Sequence, residues 1–320
     1  MRRFDIKRNK SKYMKWSTNL FVSAFVIPMS FVLIYPLLYM VSMAFRPVTD
    51  MRDPTIVWLS SAFTMDNIKT MWTQMEFGTV FTNSVIISLG CALLSTAVSA
   101  LTGYGFARFK FREKFIWIGV LFITIILPPS VMSVASYIEF KDFSVFGILT
   151  LIKNLTGAQF EINMLDSYAV YFLPALFGAG INSGIFILVF MQFFKNFPKE
   201  LEDSAYIDGA GPIRTFVSIV LPNMKPPTVV VAMLSTVWYW NDTHISSTFA
   251  VKMNTISKRL LYVYTDMVEI IGSSSGHGAF NEQTVYIQAG MLMAIIPMLL
   301  LFIFCQKVFV ESVTTSGITG

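Results

Sequence analysis

The chain has 320 residues, 54% of them hydrophobic and 13% charged, with a mean hydropathy of +0.61. That apolar share lies above the range of soluble globular domains and excludes an ordinary soluble enzyme. The net charge of +5 is a topology signal, because Lys and Arg sit beside apolar runs, and it is a poor footprint for nucleic acid.

Residues 1–18 carry Arg2, Arg3, Lys7, Arg8, Lys10, Lys12 and Lys15 against the single acid Asp5. A charge-free stretch, 19–45, follows. It is longer than the roughly 7–15 residues of a signal-peptide core, so it predicts a retained span. Five more charge-free windows follow, at 77–107, 115–138, 167–194, 226–241 and 283–306. Lipid cannot satisfy unpaired backbone groups, so each window predicts a helix. A bilayer needs about 20 residues. The window 226–241 is shorter and reaches that length only by continuing past Asp242 towards Phe249. The expected fold is all-α and integral to the membrane. It has an N-terminal basic segment (1–18), one domain of six transmembrane helices (19–310) and a tail (311–320).

Orientation follows from the loops. The short 108–114 loop holds Arg108, Lys110, Arg112 and Lys114 against Glu113, whereas 46–76, 139–166 and 242–282 are each slightly acidic. Positive loops stay inside, so both termini and the 195–225 loop are expected in the cytoplasm. Cys91 and Cys305 both fall inside windows and supply neither a disulfide framework nor metal spacing. His244 and His277 are far apart and take no role, and Asn154-Leu-Thr156 reads as a chance sequon. The stretch 273–278, Ser-Ser-Ser-Gly-His-Gly, is expected to be the most flexible.

Several windows carry more than hydrophobicity. Ser95, Ser99 and Gly103 recur at every fourth position, and Gly180 and Gly184 form a small-xxx-small pair. Small residues on one face let helices approach closely in lipid, and intramolecular packing is the plainer account of both. Pro128-Pro129 and Pro174 mark expected kinks. Asn182 and Ser183 must face protein or water, since lipid satisfies neither.

The 198–222 segment is polar and lies between two apolar windows. Pro198 suits a first helical turn, and Glu200, Glu202 and Asp203 then fall where a helix dipole favours acids. Asp208-Gly209-Ala210-Gly211 breaks the helix. Pro212 opens a second one, with Ile213, Phe216, Val217, Val220 and Leu221 on one face. Pro222 and the Pro226-Pro227 pair are expected to stop it. Two short helices at the membrane surface result, and on periodicity alone a purely structural loop fits them equally well.

The run from Phe193 through Gly211 to Leu221-Pro222 resembles the EAA loop of permease subunits of bacterial ATP-binding-cassette importers, most closely the carbohydrate-uptake branch related to the maltose system. The EAA triplet falls on Asp203-Ser204-Ala205 and the following Asp-Gly on Asp208-Gly209. Asp replaces Glu and Ser replaces Ala at the first two positions, so Glu202 and Asp203 both stand as candidates for the charge contact. Asn83-Ser84, Tyr104-Gly-Phe-Ala-Arg108, Tyr168 through Pro174 and Trp240-Asn241-Asp242 also look like the family. So does the tail from Gln306, although it has Thr319 where the family expects lysine.

The resemblance implies a transport subunit of the bacterial cytoplasmic membrane that moves a sugar or oligosaccharide. It implies no catalytic residue, metal or cofactor on this chain, with ATP and Mg held by two separate ABC ATPase subunits. The absence of a Gly-Lys dipeptide, and hence of a Walker-type P-loop, agrees. Further implied partners are a homologous second permease subunit, in a heterodimer, and an extracytoplasmic solute-binding protein. By the same resemblance, Glu200, Glu202, Asp203, Ala205, Asp208, Gly209, Gly211, Phe216 and Pro222 form the ATPase-coupling loop. A sugar path needs aromatic faces and a few polar groups. Asn182, Ser183, Trp240, Asn241 and Asp242 are the candidates, while Trp238 and Tyr239 read as the interfacial aromatic belt. An ion-driven secondary transporter is the competing class. It predicts ionisable residues inside spans, and the six windows contain none.

Overall fold

A membrane chain must pair its backbone within itself, and the computed structural model is all-helical among the residues it describes. Those residues are 2–53, 55–56, 60–144, 147–156, 162–272 and 279–317. The stretch 273–278 expected to be flexible lies outside them. The chain forms two compact units, Met1–Met71 with Tyr264–Met293, and Trp72–Val263 with Ala294–Gly320.

In the first unit, α1 (Arg2–Ala44) joins the basic segment and the first window in one helix of 43 residues. The chain beyond it is tied down by side chains. The Asn67 amide donates to the carbonyls of Ala44 (3.1 Å) and Arg46 (2.7 Å). Asp50 accepts from the Ser61 hydroxyl (2.5 Å) and amide (2.8 Å) and from the Ser60 hydroxyl (2.8 Å). The Ser61 donors hold its carboxyl below the usual carboxylate range. Helix α2 (Asp66–Gln74) follows.

The second unit is organised by α3 (Phe77–Arg108), a 32-residue helix. It packs along α7 (Ala169–Leu176), α8 (Ser183–Asn196) and α11 (Lys225–Trp240). The small residues foreseen on α3 permit this. Ser95, Ser99 and Gly103 are buried, and a Cβ at Gly103 would lie 2.7 Å from Phe190 Cβ and 2.9 Å from the Met191 backbone nitrogen. Gly103→Val is therefore expected to push α3 off α8 and destabilise the chain by about 1–3 kcal/mol, checked by thermal unfolding in detergent.

The described residues contain three continuous helices long and apolar enough to cross a membrane, at Phe21–Ala44, Phe77–Arg108 and Glu282–Lys307. The last is part of α14 (Ala279–Gly317). The other windows are broken. The third divides into α4 (Lys114–Ile126) and α5 (Pro129–Lys141), bent by 102°. Leu127 and Pro128 each precede a proline and are extended (ψ 121° and 140°), because a following proline ring disfavours the helical region. A short α6 (Ile148–Thr156) lies beyond.

The fourth window breaks elsewhere than expected. Pro174 stays inside α7, and the chain leaves the helix at Gly178 (φ +71°) and re-enters at Asn182 (φ +55°). The fifth window continues past Asp242 towards Phe249 as one run, Lys225–Thr248, with a short interruption of the helix at 241–243. Helix α11 ends at Trp240, and the Asp242 carboxylate then accepts from the Ile245 and Ser246 amides (3.1 Å each), capping the short α12 (His244–Thr248). Helix α13 (Ile256–Gly272) follows.

Candidate functional site

Between α8 and α11 the polar loop folds into two helices. Pro198 takes the N-cap position of α9 (Lys199–Ile207), which places Glu200 and Glu202 in the first turn. Its C-terminus is a Schellman motif. Gly209 (φ +80°) donates to the Tyr206 carbonyl (3.0 Å) and Ala210 to the Ala205 carbonyl (2.9 Å). Asp208 is the C-cap. Gly211 is extended and precedes Pro212, the first residue of α10 (Pro212–Asn223).

Pro222 does not stop α10, contrary to expectation. The helix widens to a π-turn over Phe216–Val220, the Leu221 amide reaches the Phe216 carbonyl, and the axis bends by 75° only at Met224. Pro222 has no N–H and its ring crowds the carbonyl one turn back, so the preceding turn opens. The apolar stripe does not face the core as a whole. Val220 is buried and Phe216 half-buried, but Ile213, Val217 and Leu221 are exposed. Ile207 at the end of α9 is 86% exposed and Ile213 is 82% exposed. A shallow groove lined by Gly211, Pro212, Ile213, Arg214, Val217 and Ser218 runs along this face.

The four acids of the loop separate into two classes. Glu200, Asp203 and Asp208 are exposed. Glu202 is 5% exposed and turned inwards. Its Oε1 lies 2.6 Å from Arg108 Nη2 and 2.7 Å from Arg108 Nε, and its Oε2 accepts from the Tyr104 hydroxyl (3.0 Å). Arg108 Nη2 also donates to the Phe197 carbonyl (2.8 Å), and the guanidinium lies 5.9 Å from the Phe197 ring centroid. Tyr104 in turn meets Phe194 (5.3 Å) and Phe216 (5.0 Å) edge-on. Ala205, one turn along α9, is buried. Arg108 and Tyr104 had no role from sequence. Their basic and aromatic character at the end of a span was visible, but their partner lies 94 and 98 residues away, with no local signal.

The candidates for a substrate path are partly brought together. The Tyr239 hydroxyl accepts from the Ile181 amide (3.0 Å), so the 177–182 break adjoins α11. Tyr239 is thereby buried, and the half-buried Trp238 stacks on Phe186 (5.2 Å). Ser183 and Trp240 are buried, and the Trp240 indole donates to the Ala294 carbonyl (3.2 Å). Asp242 is held by the α12 amides and by the Tyr171 hydroxyl (3.2 Å). Asn182 and Asn241 are exposed. At the far end of α3, Asn83 bridges the Tyr168 hydroxyl (2.7 Å) and the Asn254 carbonyl (2.9 Å), so family-like residues from two windows share one network. Nearby, Lys258 is buried and its ammonium is satisfied by the carbonyls of Ala250 (3.2 Å), Val251 (2.5 Å) and Met253 (3.2 Å). Burial lowers its pKa. No cluster of metal-ligating side chains occurs among the described residues.

Comparison with known proteins agrees with this architecture. The chain is 28% identical over 319 residues to the arabinooligosaccharides transport system permease protein AraQ of Halalkalibacterium halodurans, covering 98% of this chain and 100% of that one. It is 27% identical over 299 residues to the maltodextrin transport system permease protein MdxG of Bacillus subtilis, covering 92% and 94%. The fold matches a chain of a bacterial ABC transporter involved in the import of the acidic polysaccharide alginate, with a TM-score of 0.64 at 14% identity over 92% of this chain and 98% of that one. The family model for the inner membrane component of binding-protein-dependent transport systems matches residues 95–314. The chain is therefore a multi-pass membrane permease of the binding-protein-dependent transport system inner membrane component family.

Proposed function

We propose that the chain is one permease subunit of an ATP-driven importer that carries a sugar or oligosaccharide across the bacterial cytoplasmic membrane. The observation that carries the reading is the exposed face of α9 and α10. Ile207, Ile213, Val217 and Leu221 present apolar surface in a loop that also presents Asp203, Glu200, Asp208 and Arg214 to solvent. An apolar patch with a charged rim fits a protein interface. With both termini and this loop in the cytoplasm and six spans through the membrane, the partner is an ABC ATPase that binds ATP and Mg on its own chain. Asp203, exposed at the position matching the EAA carboxylate, makes the charge contact, and Glu202 is spent internally. Gly209 shapes the turn, and Phe216 links α10 to the core.

A sugar substrate is favoured by relatives that are transport permeases for arabinooligosaccharides and maltodextrin. The path would use Asn182 at the break between α7 and α8, since irregular backbone at membrane depth is tolerated where it meets protein or water. Asn241 supplies a second exposed amide. Trp240 and Asp242 support this wall by packing and capping, and Ser183 closes it from behind. A homologous second permease and an extracytoplasmic binding protein complete the assembly.

Asp203→Lys tests the loop. The variant is expected to insert and accumulate normally but to lose about tenfold or more in recovery of ATPase subunits on affinity purification, since a like-charge contact at an interface costs several kcal/mol. Normal recovery with normal ATP-dependent uptake would remove Asp203 from the contact.

A further inference from the structure

The end of α3 is fastened to both helices of the loop by groups that ordinary packing does not require. Arg108 and Glu202 have side chains 7% exposed each and lie 2.6 Å apart. Desolvating two charges is expensive, and well-packed apolar residues in their place are often as stable or more so. The ion pair adds direction. The guanidinium presents donors in a fixed fork, here divided between Glu202 Oε1 and the Phe197 carbonyl at the end of α8. Tyr104 adds a second tether, with its hydroxyl on Glu202 Oε2 and its ring against Phe216. Helix α9 thus reaches α3 through Glu202, held by Arg108 and Tyr104 one turn apart, and α10 reaches it through Phe216 on the same Tyr104. Because α3 also packs along α7, α8 and α11, a displacement of its end reaches the broken spans.

We infer that Arg108, Glu202 and Tyr104 are positioning residues that make α9, α10 and the end of α3 move as one body, so that motion imposed on the exposed loop face is delivered to α3. This rests on the reading of that face as an ATPase dock. The complete transporter, with its ATPase subunits and binding protein in proteoliposomes, gives the readout as substrate moved per ATP hydrolysed. In the double variant Arg108→Met/Glu202→Leu no buried charge is left unpaired, so the fold is expected to persist. The complex should assemble and hydrolyse ATP while transport per ATP falls about tenfold, within the range by which two sites are ordinarily coupled. Arg108→Lys keeps the charge but loses the fork; it should show the same uncoupling and decides the matter if the double variant does not accumulate. A merely structural role would change the amount of protein and leave the ratio unchanged. Wild-type ratios in these variants would overturn the inference alone. Failure of ATPase subunits to co-purify with the unmodified chain would overturn the docking reading and this inference with it.

Discussion

Glu202→Leu is expected to destabilise the chain by about 3–5 kcal/mol, the cost of leaving the buried Arg108 guanidinium without its carboxylate. Nη2 would keep only the Phe197 carbonyl, Nε would lose its acceptor, and the Tyr104 hydroxyl would lose Glu202 Oε2. Asp203→Leu, one residue on and exposed, should change stability by about 0.5 kcal/mol or less. Thermal unfolding in detergent separates the two adjacent acids. If Glu202→Leu were as stable as Asp203→Leu, the internal ion pair would not exist as described. Adding Arg108→Met to Glu202→Leu should recover most of the loss, since the cost belongs to the unpaired charge.

Gly209→Pro is expected to abolish transport while leaving the chain in the membrane. Gly209 has φ +80°, whereas a proline ring locks φ near −65° and removes the N–H that closes the Schellman motif. A local cost of about 3 kcal/mol or more follows, enough to unwind the last turn of α9 and misdirect α10. Asn tolerates the left-handed region, so Gly209→Asn should retain most transport. The companion glycine behaves differently. Gly211 is at φ −76°, and a Cβ there would meet nothing within 4 Å. Gly211→Ala should therefore leave the fold of the loop and the amount of inserted protein unchanged. Uptake assays in membrane vesicles, with insertion followed by quantitative blotting, distinguish these outcomes.

The contrast between those glycines shows what was legible in sequence. Gly209 and Gly211 read alike as turn formers, but only the backbone angle tells that one needs glycine. The loop itself, its two helices and its start at Pro198 follow from proline placement and apolar spacing. The stripe on α10 was misread in phase, because a straight helix puts Ile213, Phe216, Val217, Val220 and Leu221 on one face. The structure instead turns Val220 and part of Phe216 to the core and leaves Ile213 and Val217 in solvent, with a π-turn over Phe216–Val220. Hydropathy gave the apolar windows but not their interruptions. The Pro128-Pro129 bend was signalled by the residues themselves, whereas the break at 177–182 depends on Gly178 and on the Tyr239 hydroxyl across from it. The division of labour between Glu202 and Asp203 was out of reach, since neighbours on a helix differ in direction by about 100° and only the packed structure says which one faces Arg108.

The claim on which the rest depends is that the α9–α10 face docks an ABC ATPase on the cytoplasmic side. A photo-reactive residue placed at Ile213, 82% exposed, can be compared with one at Trp72, 54% exposed and on the segment expected outside. In membranes holding the complete transporter, illumination should join the Ile213 variant to an ATPase subunit and leave the Trp72 variant free of it. An ATPase adduct at Trp72, or none at Ile213 in a transporter that still imports, would contradict the assignment.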